Sequence, residues 1–248
     1  MRALSAAELL EVWEAGFAQA PTERALALLV AACPESSRDD LAALSIGQRD
    51  ARLLRLREGL WGSQMTAVVV CPACRDRSEL ALETREILAC SQPTPPGDIV
   101  LSGAGYDVTF RLPTSLDVIA ATDQAAPTPG QEACVKLLFQ RCLLSAQHGD
   151  AAVTTDQLPP EVVAEVLKCM GEADALADIQ LQVTCPSCER GWTALFDIVS
   201  FLWTEIEVWA WRILSDVHTL ASVYGWSERD ILNLSPTRRQ FYLEMVGA

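Results

Sequence analysis

Two copies of the pattern Cys-Pro-X-Cys, at Cys71/Cys74 and Cys185/Cys188, constrain this chain more than any other feature. Two residues between cysteines let both thiolates converge on one ion. Four thiolates then meet the tetrahedral preference of zinc. A β-branched segment leads into each pair, Thr66–Val70 into the first and Ile179–Thr184 into the second. A second short extended segment leaves each pair, Ser78–Glu83 and Trp192–Phe196. About 110 residues lie between the two pairs, far more than a compact zinc ribbon contains. The spacing therefore predicts one ribbon whose halves are parted by an insertion.

A structural zinc ion contributes on the order of 10–16 kcal/mol of apparent binding free energy, enough to offset the entropy of closing so long a loop. Two other readings of the four thiolates stay open, an iron–sulfur cluster and two separate redox dithiols. A catalytic zinc needs an open position and a base nearby. The chain has only two histidines, His148 and His218, and neither lies beside a cysteine pair. The expectation is a closed zinc site and no catalytic residue. Cys33, Cys90, Cys134, Cys142 and Cys169 lack ligand spacing and read as small hydrophobic residues.

The rest of the chain reads mainly as helix. Ser5 with Glu8 forms a capping box ahead of Leu9, Leu10, Trp13 and Phe17. A second helix runs over 22–32, and a third begins at Ser45 with Gln48 and ends at Gly59–Gly62. Pro93, Pro95, Pro96 and Gly97 mark a loop before a hairpin over 98–112, with Val108 and Phe110 on one face. Residues 113–178 read as helices parted by a linker at 124–130. Asp197 caps a long helix that Gly225 stops, and Ser227/Asp230 and Ser235/Pro236 open two more. The fold class is α+β, mainly helical, with a small antiparallel zinc-ribbon-like unit split by a hairpin-plus-helices insertion. Four parts follow: an N-terminal helical region 1–62, a split ribbon/β unit 63–112 and 179–196, a helical insertion 113–178, and a C-terminal helical region 197–248.

The net charge of −14 speaks against nucleic acid as a partner. Arg49, Arg52, Arg55 and Arg57 cluster, and they read as a solvated helix face. The most apolar stretch, 196–214, carries Asp197, Glu205, Glu207 and Arg212, which a bilayer would not accept. A cytoplasmic protein without a membrane span is expected. No phosphate-cradling loop, nucleophile elbow or small-molecule site is visible. The helix after Asp197 carries Phe201, Trp203, Trp209 and Trp211 on more than one narrow stripe. It is either buried in the protein's own core or docks in part on a partner.

Two segments add a resemblance. One runs Leu44-Ser-Ile-Gly-Gln-Arg-Asp through Glu58-Gly-Leu-Trp61 and on to the first cysteine pair. The other runs from Asp216 through Tyr224, Trp226, Ser227, Asp230–Leu234 and Arg238 to Leu243. Both resemble baseplate proteins of contractile phage tails and of bacterial extracellular contractile injection systems. Within these, the similarity is to the T-even phage baseplate hub subunit and hub-assembly chaperone family. The resemblance implies a non-enzymatic structural or assembly role in a phage-tail-like particle. Its partners would be other baseplate, hub and spike proteins. Trp203, Trp209, Trp211, Tyr224, Trp226, Arg238 and Arg239 are the candidate partner contacts. The competing class is a zinc-ribbon adaptor that binds nucleic acid or transcription machinery.

Overall fold

Helix-start chemistry sets the frame. In the computed structural model, which describes residues 1–90, 97–125 and 131–247, Ser5 and Glu8 satisfy each other's backbone N–H groups and start α1 (Ala6–Gly16). Pro21, already fixed near helical φ, begins α2 (Pro21–Ala32). A capping box of Ser37 and Asp40 starts the short α3 (Arg38–Ala42), and one of Ser45 and Gln48 starts α4 (Ile46–Trp61). Far along the chain, the Asp197 carboxylate accepts from the Val199 N–H and starts α9 (Ile198–Tyr224). Gly225 ends it in the left-handed conformation at φ 68°, which glycine adopts without strain. The apolar stripes of α1, α2, α4 and the first two-thirds of α9 close over one core that includes Leu26, Leu29, Leu53, Leu54, Leu202 and Ile206. Two short helices, α10 (Glu228–Leu232) and α11 (Pro236–Met245), fold back on the end of α9 around Leu220, Ile231 and Leu243.

Among the described residues, three antiparallel sheets complete the fold. β1 (Gln64–Val70) pairs with β2 (Arg77–Glu83), and a short α5 (Thr84–Ala89) follows. The insertion then builds its own sheet. β3 (Ile99–Gly103) and β4 (Tyr106–Phe110) form the expected hairpin. After α6 (Ser115–Ala125) and α7 (Gln131–Cys142), β5 (Leu143–His148) pairs with β4, and β6 (Ala151–Ala152) with β5. α8 (Pro160–Ala173) covers this sheet, with Val108, Phe110, Phe139, Val162, Val166 and Met170 between them. Then β7 (Ile179–Thr184) and β8 (Gly191–Phe196) form the last hairpin and lead into α9.

Some expectations need correction. Residues 113–178 are not all helical, because the apolar pattern of α7 runs on into Leu143 and only pairing with β4 makes β5 a strand. The 98–112 hairpin belongs to the sheet of the insertion, as the hairpin-plus-helices insertion expects, so the boundary placed at 112 moves to before the hairpin. The proline loop at 93–96 lies outside the described residues, as does 126–130 of the linker expected over 124–130, whose first two positions are the end of α6.

The insertion is fastened to the bundle at the N-terminus of α4. Ile46 N–H donates to the Pro113 carbonyl at 3.1 Å, and Gly47 N–H donates to the Asp174 carboxylate at 2.9 Å. A Cβ on Gly47 would lie 2.1 Å from that carboxylate, so the approach requires glycine.

Candidate metal centre

The two hairpins present their cysteines through the same backbone figure. In the first, Cys71 N–H donates to the Asp76 carbonyl (2.9 Å), and Arg75 N–H to the Cys71 carbonyl (3.0 Å). In the second, Cys185 N–H donates to the Arg190 carbonyl (2.9 Å), and Glu189 N–H to the Cys185 carbonyl (2.9 Å). The residue after the second cysteine takes positive φ in both, 65° at Arg75 and 58° at Glu189. This turn folds each strand back on its partner and leaves both thiols on its inner side.

The two turns meet. The sulfurs of Cys71, Cys74, Cys185 and Cys188 all lie within 4.8 Å of one another. Cys71 Sγ is 3.7 Å from Cys188 Sγ, and Cys74 Sγ is 3.5 Å from Cys185 Sγ. These distances are far beyond an S–S bond of about 2.05 Å. Sulfurs at a Zn–S distance of about 2.3 Å in a tetrahedron sit roughly 3.8 Å apart, so the donor set fits a four-thiolate metal site. Cys71 and Cys185 are buried, while Cys74 and Cys188 face solvent. The Ser187 hydroxyl bonds to the Asp76 carboxylate across the junction.

Thiol acidity reflects the crowding. The Cys71 thiol is drawn down to about 6, first by the backbone N–H of Cys74 and also by that of Ala73. At Cys74 the Asp76 N–H favours the thiolate, but the Cys185 sulfur, desolvation and the sulfurs of Cys188 and Cys71 outweigh it and push the group up to about 12. A cation would let all four ionise.

The other candidate residues are scattered. Trp203 is buried in the bundle core with the Arg24 guanidinium 4.5 Å above its ring. Trp209 is half-buried against the same core. Trp211 is 65% exposed and sits edge-on to Trp13, with centroids 6.4 Å apart. Tyr224 stacks on Trp226 at 4.7 Å, and Tyr242 packs edge-on against both. Arg239 is held by Asp216 at 3.0 Å, and Arg238 is exposed.

The arginine cluster on α4 is not a solvated face. Arg49 and Arg57 are both buried. Arg57 makes a bidentate pair with Glu205 of α9 (2.9 and 2.7 Å) and donates to the Gly62 and Gln64 carbonyls. It thus pins the start of β1 to the bundle. Arg49 pairs with Asp50 at 2.7 Å. Only Arg55 is fully exposed, and Arg52 is partly covered. No basic face remains here for a polyanion.

A second polar centre escaped the sequence reading. Asp117, buried, accepts from Arg111 (2.5 and 2.8 Å), Arg141 (3.0 Å) and the Thr114 N–H (3.0 Å). Burial alone would raise its pKa, but Arg111 and Thr114 reverse this and hold it well below the ordinary range. It locks β4, α6 and α7 together. The signal was present as a Thr114/Asp117 capping pattern, but its partner Arg141 is set by tertiary structure.

No described helix is long and apolar enough to cross a membrane. Among comparisons with known proteins, the sequence model of a family described as T4 bacteriophage base plate protein matches residues 7–203. That span takes in α4 and both cysteine pairs and ends before the Asp216–Leu243 segment. No curated protein and no solved structure matches.

Proposed function

The chain belongs to the T4 bacteriophage base plate protein family, and from that premise we propose that it is a non-enzymatic structural or assembly component of a contractile-tail baseplate, of a phage or of a phage-like injection system. The match over residues 7–203 carries this reading. The finer assignment, to a hub subunit or a hub-assembly chaperone, rests on the resemblance of the C-terminal segment. Its partners are then other baseplate, hub and spike proteins, met through the outer surface of α9 and the α10–α11 cap. Trp211, Tyr224, Trp226 and Arg238 are the residues there that keep exposed surface or edge contacts.

The four cysteines hold one structural zinc ion in this reading. Cys71, Cys74, Cys185 and Cys188 would be its ligands, and the ion would supply charge neutralisation and a fixed junction between two hairpins. Zinc is favoured over an iron–sulfur cluster because the sulfur spacing suits a single tetrahedral ion.

Two experiments test the two parts. Deleting the gene should abolish sheathed particles or leave intermediates without a hub; normal particles that still fire would refute the assembly role. Metal analysis of the purified protein should give about one zinc per chain, and less than about half an equivalent with the fold intact would remove the zinc.

A further inference from the structure

The four strands of the cysteine-bearing hairpins divide by chemistry. β2 carries Arg77, Glu79 and Glu83. β1, with sequence QMTAVVV, β7, with sequence IQLQVT, and β8, with sequence GWTALF, carry no charge and no proline, and their pairing has no bulge; of these, β1 and β8 line one groove. Each is paired on one side only, β1 by β2 and β8 by β7. Natural sheets guard such edges with charge, proline or bulges, because an open row of N–H and C=O groups recruits another strand. β1 and β8 do not, and Thr66, Ala67 and Val68 of β1 line the same groove as Leu195 and Phe196 at the end of β8.

The groove has a volume of about 760 Å³ and lies between the two hairpins and α9. Thr66, Ala67 and Val68 all line it. Successive strand residues point to opposite faces, so three in a row line one groove only where the strand meets it edge-on. In an antiparallel pair about half the residues aim their backbone groups away from the partner, here into the groove. The facing wall is α9 from Ser200 to Arg212. That is about 18 Å of helix, the length of a strand of roughly five to six residues.

The charges say what the occupant carries. Glu205 is engaged by Arg57, and the Asp197 carboxylate by the Val199 N–H and the Ser200 hydroxyl. Arg212 forms no ion pair among the described residues and lies with Val208 and Trp209 at the far end of the α9 wall.

We propose that this groove receives an extended, apolar strand of a partner protein, added to the open edge of β1, with a carboxylate side chain meeting Arg212. This goes beyond the baseplate assignment and does not depend on which ion the cysteines hold.

The test uses the full-length, metal-loaded, isotope-labelled protein and a synthetic peptide, Val-Thr-Val-Glu-Val-Thr, blocked at both ends. At up to about 1 mM peptide, the amide signals of β1 and of the groove face of α9 should shift together. A peptide methylated at every backbone nitrogen should bind at least about tenfold more weakly, since it cannot donate to the edge. Val68→Lys, at a site 54% exposed, should remove binding. Arg212→Glu should weaken the glutamate peptide about tenfold and favour the same peptide with lysine in its place. Three results would overturn the proposal: no shift in β1 at that concentration, equal binding by the methylated peptide, or a stable dimer that Val68→Lys abolishes, which would make a second copy the occupant.

Discussion

Inside the bundle, Leu26, Leu29, Leu53, Leu54, Leu202 and Ile206 are closed off from solvent, whereas the four strands of the cysteine-bearing hairpins bury Met65 and Val183 and no other residue. A buried leucine contributes about 1.5–3 kcal/mol, so the bundle has ample driving force of its own. Two-stranded hairpins are marginal in water. What the hairpins lack in core they have in thiols, Cys71 and Cys185 being among their few buried side chains. This chain therefore uses two kinds of glue. The bundle is held by area. The hairpins are held by a junction that the proposed zinc ion closes.

The sharpest way to break that comparison is to remove a ligand. Cys71→Ser should lose the metal outright, since three thiolates and a hydroxyl hold zinc poorly. Both hairpin turns, near residues 71–78 and 185–191, should become open to limited proteolysis. The far-ultraviolet circular dichroism of the helices should survive with a cooperative melt. If the helices melt with the hairpins, the two regions are one cooperative unit and the comparison fails.

Core truncation should act the other way. Leu53→Ala leaves a cavity in the bundle and should cost about 2–5 kcal/mol, lowering the thermal midpoint by roughly 5–15 °C while the metal content stays unchanged. Phe110→Ala, at a fully buried site in the sheet of the insertion, should cost about 3–5 kcal/mol and loosen β3–β6 first. Hydrogen exchange resolved by segment would separate the two losses.

The bundle was legible for the same reason that it is stable. Its helices carry their own start and stop signals, Ser5/Glu8, Ser45/Gln48, and Asp197 with Gly225, and their apolar stripes have the period of the helix. The meeting of four sulfurs was legible because a repeated Cys-Pro-X-Cys is local chemistry. What failed was whatever depends on distant partners. Arg57 looks like any surface arginine until Glu205, 148 positions away, takes it out of solvent. Trp203 and Trp211 look alike in sequence, and only the packing of α9 against α1 and α2 turns one inward and the other outward. β5 looked helical because its strand character comes from β4. The short α3 was overlooked although its Ser37/Asp40 box has the form recognised at Ser227/Asp230. Of the two segments that carry the resemblance, the family match over residues 7–203 takes in the one at 44–61 and ends before the one at 216–243.

A pH effect should arise where the insertion meets the bundle. Burial pushes the Asp50 carboxyl up to about 6 despite Arg49, with Asp197 and Asp174 adding to the rise. An unfolded aspartate sits near 3.9, so the folded state prefers the protonated form. The stabilisation from this group is present below about pH 4 and is lost as pH rises through about 6. Its size is on the order of 2–3 kcal/mol. Denaturant titrations at pH 4.5 and 7 should show the wild type losing stability between them through this group. In Asp50→Asn that difference should shrink by a similar amount. An unchanged difference would mean that Asp50 ionises freely.

The smallest expected effect bears on the two halves of the ribbon. Arg75 and Glu189 occupy the left-handed region at φ 65° and 58°, where a side chain other than Asn or Asp costs about 1–2 kcal/mol. Glycine removes that strain but gives back roughly 0.5–1 kcal/mol in chain entropy. Arg75→Gly and Glu189→Gly should therefore each stabilise the metal-loaded hairpins by about 0.5–1 kcal/mol. The readout is slower zinc loss to a chelator, because the helices would mask so small a change in a melt. The turns are alike in hydrogen bonding but opposite in charge at this position. Equal gains would show that backbone conformation governs both. A gain at only one would show that the Arg75 or Glu189 charge contributes to the junction.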